Sequence, residues 1–561
     1  MFKAGTHQPG HWRIAAIALV LILISWYWIH LVAIQPLAPP DFYRYYADYE
    51  SIFQGNGGEM KLPPLYPLVA GLSGNALALL MPRRDAFILA GKLLSLLGAM
   101  GIFFAFLQLT GGDKPGKAAL GGATFLVLSP MVLRFLALPL TDLVFLALLL
   151  GTFTALFRNQ VPAAVVLALA AGGVRFEGFF LLLLVAAYIL FHRNRLIWIP
   201  AALIIGADLL YLAARHTPRV LHYLRQWSLD GTPELWKNPQ ILLRVITGNL
   251  LFFLPSSWPR GIILTISLLF LGAVAGGCMA AWRRNPRAAA VFIAFILGML
   301  LFKGYVVFEG NWRLHTRRLL PLLVPLLALA VIGIQSGAKW LKHSRRLREI
   351  VRIFLPLFTI PLVLLSPTHW PWWPVLLVLP VAALCLGIPP RRDMAGVAAA
   401  LALAIFFTFV GGTGFRQAIR IVRSMPNEGG IAVARWFNAQ NADNTDRILL
   451  MSNPFMVRYY LEKPARWEEW NPPHWRGRIP LEDFWSRFMS DLRNAGINRV
   501  VVDRYLPATS SRNHRSVKEM VWRRRGDPAS FRVIRNLTDK GRLMAAVLEP
   551  VSNNSPEEES R

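Results

Sequence analysis

Ile14-Ala-Ala-Ile-Ala-Leu-Val-Leu-Ile-Leu-Ile-Ser-Trp-Tyr-Trp-Ile-His-Leu-Val-Ala-Ile34 contains no Lys, Arg, Asp or Glu. A bilayer core takes about 20 apolar residues of helix, so this run is long enough to cross it. It follows Lys3 and Arg13, as a signal peptide would, but it is too long and too rich in Trp and Tyr, and no persuasive small-residue cleavage site follows. We read it as an uncleaved first span with a cytoplasmic N-terminus. Working outward, the rest of the chain repeats this pattern: of 561 residues 55% are hydrophobic and only 16% charged, and the mean hydropathy is +0.43. A soluble enzyme is excluded by this balance.

Further apolar runs lie near 86–109, 118–137, 143–157, 161–174, 177–191, 196–214, 260–282, 288–306, 319–336, 350–366, 372–388 and 394–411. With the first they make about thirteen transmembrane helices. If the runs alternate in direction, the basic clusters fall on one side: Lys114 with Lys117, Arg158, Arg193 with Arg195, Arg283 with Arg284 and Arg287, Lys339 to Arg348, and Arg391 with Arg392. That side is the cytoplasm. The net charge of +29 is therefore read as topology determination, with no nucleic acid implied. The outer face receives 35–85, 138–142, 175–177, 215–259, 304–318 and 367–371. Cys278 and Cys385 both lie in apolar runs, which leaves no disulfide framework or CxxC metal site.

After about residue 411 the composition becomes mixed and no run is long enough to span. The segment 412–551 reads as a soluble α/β domain, with buried strands at 447–451 and 499–503 and a helix ending at Leu492-Arg-Asn-Ala-Gly496. An odd number of spans places it outside. Residues 552–561 are polar and read as disordered. The fold class is thus a polytopic α-helical membrane protein with a C-terminal soluble α/β domain. No internal repeat of fixed period is visible.

The outer segments hold the unusual residues. Pro39-Pro-Asp-Phe-Tyr-Arg-Tyr-Tyr-Ala-Asp-Tyr-Glu-Ser-Ile-Phe-Gln-Gly55 is followed by Lys61-Leu-Pro-Pro-Leu-Tyr-Pro67. Asp41 is placed to cap a short helix. Tyr45, Tyr49 and Phe53 form one stripe suited to lying on the membrane surface, and Asp48 and Glu50 read as a solvated face. The plain alternative is that Asp41 only caps and the aromatics only mark the interface.

This order of elements resembles the first outer loop of the GT-C membrane glycosyltransferases: an acid opening a surface helix, Arg-Tyr, Gly, then Pro-Pro-Leu-Tyr-Pro. Thr141-Asp142 after Leu128-Ser-Pro130, Arg175-Phe-Glu-Gly178, and His315-Thr-Arg-Arg-Leu-Leu-Pro321 resemble three further elements of that superfamily. The layout is similar to the lipid A aminoarabinose transferases and the protein O-mannosyltransferases. The sequence departs from them where Asp41 is followed by Phe42 and where Arg318 replaces the usual Tyr.

The resemblance implies a GT-C fold over 1–411 with outer loops 35–85, 215–259 and 304–318. It also implies transfer of a sugar from an undecaprenyl-phosphate type of donor to a lipid, glycan or protein acceptor, with inversion, at the periplasmic face of a bacterial inner membrane. Asp41 becomes the base that takes the acceptor's proton. Asp142 orients the acceptor or joins Asp41 in holding Mg or Mn. Lys61, Arg175, Arg317, His315 and Arg318 are the cations for the donor phosphate, with Glu177 shaping that pocket. Arg44, Tyr45 and Tyr66 contact acceptor or sugar. Snorkelling to headgroups for Arg317 and Arg318, and a neutralising pair for Arg175 with Glu177, are the structural alternatives. A transporter or flippase of lipid-linked glycans and a non-catalytic envelope-glycan assembly protein are the rival functions. The candidate acids lie at span ends rather than mid-membrane, which weighs against a transporter.

Three further stretches have plain readings. Trp370-Pro-Trp-Trp373 reads as an interfacial belt, with a sugar platform as the alternative; Trp467 to Trp475 reads as a loop that either contacts a glycan or packs the tail; Arg523 to Arg525 reads as a basic run for anionic lipid. No GxxxxGK, GxGxxG, HExxH or Gly-x-Ser-x-Gly motif is present.

Overall fold

In a computed structural model of the chain, the described residues are 11–34, 38–54, 63–112, 116–190, 200, 203–207, 260–308, 316–343, 419, 428–440, 447–452, 454–462, 467–469, 481–504, 518, 520–528, 530–539 and 542–551. They fall into two compact units. The first comprises Met1–Gln35, Leu62–Ala76 and Leu89–Val422; the second comprises Pro36–Lys61, Leu77–Ile88 and Arg423–Arg561.

The first unit is helical. Its helices are α1 (His11–Ile34), α3 (Leu65–Leu77), α4 (Arg83–Gly111), α5 (Lys117–Val127), α6 (Pro130–Leu136), α7 (Asp142–Phe157), α8 (Val161–Val174), α9 (Glu177–Leu190), α10 (Arg260–Arg284), α11 (Pro286–Phe308) and α12 (Thr316–His343). The intervening α2 (Pro40–Gln54) belongs to the second unit, as do the first residues of α4. Among the described residues, Ile14–Ile34, Arg83–Gly111 and Leu320–Gly337 are long and apolar enough to cross a membrane. Along α1, Val20, Ile24, Tyr27 and Leu31 form a buried stripe while Ile14, Leu19, Ile22, Trp26 and Ile29 are bare, the pattern of a helix with one side on protein and one side on lipid.

The single span expected at 118–137 is two helices. Ser129 adopts extended backbone, its side chain accepts from the Val132 N–H at 3.3 Å, and Pro130 opens α6; a cap followed by proline ends one helix and starts another. Asn285 and Pro286 do the same between α10 and α11, with the Asn285 side chain accepting from Ala288 N–H at 3.2 Å. α7, α8 and α9 hold only 16, 14 and 14 residues. At about 1.5 Å per residue each is shorter than the roughly 30 Å hydrocarbon core, so their polar ends are drawn into the protein. α4 is tied to the loop before α7 by the Ser95 hydroxyl on the Leu138 carbonyl, and to α7 itself by the Thr154 hydroxyl on the Ala105 carbonyl. The spans expected at 350–366, 372–388 and 394–411, and most of 196–214, lie outside the described residues.

The second unit is built on a five-stranded sheet with β1 (Ile448–Met451), β2 (Glu468–Glu469), β3 (Arg499–Asp503), β4 (Phe531–Asp539) and β5 (Arg542–Pro550), in the order β2-β1-β3-β5-β4. β1 is parallel to β2 and β3, and β5 is antiparallel to β3 and β4. Both faces are covered. Leu449, Met451, Val500 and Val502 face a core with Phe488 and Leu492 of α15 (Leu481–Asn494). Ile448, Leu450 and Val501 face Val433, Trp436 and Phe437 of α13 (Glu428–Asn438) and Val457 of α14 (Pro454–Tyr460). Burial on both faces is why these strands read as unbroken apolar runs. α15 ends where Gly496 takes φ +63 and the Ile497 N–H reaches back to the Leu492 carbonyl, a left-handed stop that glycine adopts without strain. Ser452 and Lys518 both bond to Asp503, pinning the carboxyl ends of β1 and β3.

Two surface readings are corrected here. Tyr45 and Tyr49 are buried in protein rather than laid on a membrane, and Asp48 is buried rather than solvated. The aromatic face of α2 is covered by other parts of its own unit: Tyr46 packs on Phe87 and Tyr459, and Tyr49 on Phe87. Of the basic run, Arg524 stacks over Trp485 and Arg525 over Trp522. Trp467 packs on Phe437 at the start of edge strand β2, so that part of the 467–475 stretch is packing.

Candidate active site

Asp142 opens α7 and Glu177 opens α9, so both carboxylates sit at the positive end of a helix. Arg175 lies between them as the extended residue that ends α8, with φ −148° and ψ 150°. Its guanidinium bonds to Asp142 through Nη1 and grips Glu177 with two hydrogen bonds, Nε at 3.1 Å and Nη2 at 2.9 Å. Side-chain exposure is 14% for Arg175, 1% for Asp142 and 9% for Glu177. The guanidinium also lies over the Phe145 ring, one turn into α7. Planar, bidentate pairing of this kind is what arginine does and lysine cannot.

The close approach of α8 and α9 positions this cluster. A Cβ on Gly178 would lie 2.3 Å from the backbone of Ala171 and Gly172. Backbone cannot yield as a flexible side chain does, so Gly178→Ala is expected to destabilise the helical unit by about 3 kcal/mol. Thermal unfolding in detergent checks this, and an unchanged midpoint would contradict it. Beside the cluster, Leu65 of α3 packs against Gly173, the second residue before Arg175. The Pro63-Pro-Leu-Tyr-Pro67 stretch is thereby brought to the Arg175-x-Glu-Gly turn, with Tyr66 buried.

Arg175 thus gathers two buried carboxylates, from the starts of two helices, on one guanidinium. Carboxylate oxygens accept hydrogen bonds, as from the hydroxyls of a sugar or an alcohol. Arg175 is engaged by carboxylates, so a phosphate would have to share it. Among the described residues no group of three or more His, Cys, Asp or Glu is gathered to hold a metal ion.

Of the other residues singled out from sequence, Asp41 is the second residue of α2, inside its first turn rather than in front of it. The Phe42 N–H bonds to the Pro39 carbonyl as the helix begins. Arg44 is exposed. Arg317 and Arg318 lie in the first turn of α12. The side chains of Asp41, Arg317 and Arg318, and Lys61 and His315 entirely, lie outside the described residues. Lys92, for which no role is expected from sequence, is buried in α4, one turn before Ser95; the Trp28 indole donates to its carbonyl at 3.0 Å. A lone lysine in an apolar run was the available signal.

The fold and the cluster define an α-helical membrane protein with a buried cluster of charges at helix ends. No protein-family model matches the chain, and no curated protein matches it by sequence. Among solved structures, it is similar to ArnT from Cupriavidus metallidurans in the apo state, with 16% identity, TM-score 0.48, and coverage of 96% of this chain and 97% of that one. The same protein bound to undecaprenyl phosphate gives 15% identity, TM-score 0.48, and coverage of 96% and 98%. The arabinofuranosyltransferase AftD from Mycobacteria gives 14% identity and TM-score 0.46, over 97% of this chain and 40% of that one.

Proposed function

We propose that the chain is a GT-C glycosyltransferase of a bacterial inner membrane. It moves a sugar from a polyprenyl-phosphate donor, of the undecaprenyl-phosphate type, to a lipid, glycan or protein acceptor at the periplasmic face. The observation that supports this reading is convergence. The second and third elements that resemble the superfamily, at 141–142 and 175–178, and the Pro63–Pro67 end of the first belong to one unit, where Arg175 joins Asp142 to Glu177 and Leu65 packs beside Gly173; the acid of the first element, Asp41, belongs to the other unit.

In the reaction we propose, the Asp41 carboxylate accepts the proton of the acceptor hydroxyl. The acceptor oxygen forms a bond to the anomeric carbon as the bond from that carbon to the phosphate oxygen breaks on the opposite face, inverting configuration. The electron pair leaves with the polyprenyl phosphate. That leaving group needs little acid help but gains charge at the bilayer edge, where Lys61, His315, Arg317 and Arg318 are the cations we assign to it. Asp142, held by Arg175, orients a hydroxyl of sugar or acceptor.

Asp41 and Asp142 are the carboxylates the sequence offers to a divalent cation, but Asp142 could join one only by sharing its carboxylate with Arg175. Because Arg175 already supplies positive charge there, transfer is expected to survive EDTA. Loss on EDTA with recovery on adding Mg or Mn would put a cation in its place.

The function is tested by placing the purified protein in vesicles with total lipid-linked sugar from the source cells and following polyprenyl phosphate by mass spectrometry. Protein-dependent release of polyprenyl phosphate is the expected result. Movement of intact lipid-linked sugar across the bilayer, without cleavage, would establish a flippase instead.

A further inference from the structure

In the second unit α2, which carries Asp41 in its first turn, packs on α14 of the C-terminal segment by way of tyrosines. Tyr43 is fully buried two residues after Asp41, and its hydroxyl meets the Tyr460 hydroxyl at 3.3 Å. The Tyr43 ring lies 5.0 Å from Tyr459 and 6.0 Å from Tyr460, centroid to centroid. One turn along α2, Tyr46 meets Tyr459 edge-on at 4.6 Å. α14 is locked in turn to the first turn of α4: the Tyr459 hydroxyl donates to the Arg84 carbonyl, and the Arg84 guanidinium donates to the Leu461 carbonyl at 3.0 Å. Asn438 at the end of α13 donates to the Tyr460 carbonyl at 3.1 Å and accepts from the Glu462 N–H at 2.9 Å, tying α14 to the helix that packs on the sheet. Burial foremost, and then the neighbouring phenols, push the Tyr43 hydroxyl well above its ordinary range. Burial likewise raises Tyr459 and Tyr460, so the hydroxyls stay protonated and able to donate at neutral pH.

A tail that served only as a separate module, or only to bind an acceptor, has no need of this double lock on the opposite end of the chain. We propose that Tyr459 and Tyr460 are positioning residues for transfer: through Tyr43 and Tyr46 they fix the first turns of α2, and hence the place of Asp41, which makes the C-terminal unit part of the catalytic apparatus. This rests on the function proposed above and extends it. Tyr459 touches neither substrate nor the reacting atoms; it acts through α2.

The test uses the full-length protein in vesicles, with kcat and donor KM measured for wild type, Asp41→Asn, Tyr459→Ala and Tyr459→Phe. Misplacing a catalytic group by about 1 Å costs roughly 100-fold, so Tyr459→Ala is expected to lower kcat by about that factor. Donor KM is expected to hold, because α14 carries none of the cations assigned to the phosphate. Tyr459→Phe keeps the ring contacts and loses one neutral hydrogen bond, so it is expected to recover kcat to within about fivefold of wild type. Amide exchange at residues 42–48 is expected to quicken in step with the loss of kcat. Wild-type kcat in folded Tyr459→Ala overturns the proposal, as does a change confined to donor KM. If Tyr459→Ala does not assemble, the double variant Tyr43→Phe/Tyr459→Phe, which keeps both rings, decides. A fall in kcat of about tenfold or more supports the proposal, and wild-type kcat overturns it. The arms separate the two ideas. No transfer by wild type removes the function and this inference with it, full activity in Asp41→Asn removes the base, and transfer that depends on Asp41 but not on Tyr459 removes this inference alone.

Discussion

Asp41→Asn is expected to lower kcat by about 1,000-fold, within the range that a positioned general base contributes. Asparagine keeps the size of the side chain and is accepted at the start of a helix, so α2 should form as before. What it loses is the ability to take a proton. The acceptor alcohol, far too weak an acid to ionise at neutral pH, then attacks without help. Donor KM is expected to change little, since the phosphate is assigned to cations elsewhere. Steady-state kinetics in vesicles check both values. A kcat within a few-fold of wild type would remove Asp41 from the role of base while leaving the fold untouched.

Arg175→Met is expected to destabilise the helical unit by about 3–5 kcal/mol, because it leaves two carboxylates buried at helix ends with their shared cation gone. The structure makes this specific. Arg175 supplies three hydrogen bonds to Asp142 and Glu177 at once, so no single-carboxylate variant should cost as much. The triple variant Asp142→Leu/Arg175→Met/Glu177→Leu is expected to regain most of the lost stability, since removing a whole buried ion cluster is often neutral or better. It is also expected to stay inactive. Thermal unfolding together with a transfer assay separates the two effects. A triple variant that is both stable and active would reduce the cluster to a neutralising pair, the plain reading of Arg175 with Glu177.

The helical half of the fold was legible because apolar runs bounded by basic loops admit few other readings. The break at Ser129-Pro130 was missed, because hydropathy runs on through 118–137 and only the pairing of a cap with a proline marks the stop. The strands at 448–451 and 499–503 announced themselves through burial on both faces. The fate of α2 was not legible. A stripe of tyrosines at helical spacing looks the same whether it meets headgroups or other aromatics. Here the partners, Tyr459 and Tyr460, stand more than 400 positions away, 417 in the case of Tyr43 and Tyr460. In the same way, Arg175 and Glu177 were a visible pair two residues apart. Their capture of Asp142, 33 positions earlier, required three helix ends to meet.

Sugar transfer from a polyprenyl phosphate is best tested by mass spectrometry of lipid-linked sugars and envelope glycans, comparing cells that carry the wild-type chain with cells that carry Asp41→Asn. A polyprenyl-phosphate sugar is expected to accumulate in the variant, and one envelope glycan is expected to lose a single residue. Unchanged lipid-linked sugars and glycans, with the variant protein present and folded in the membrane, would contradict it.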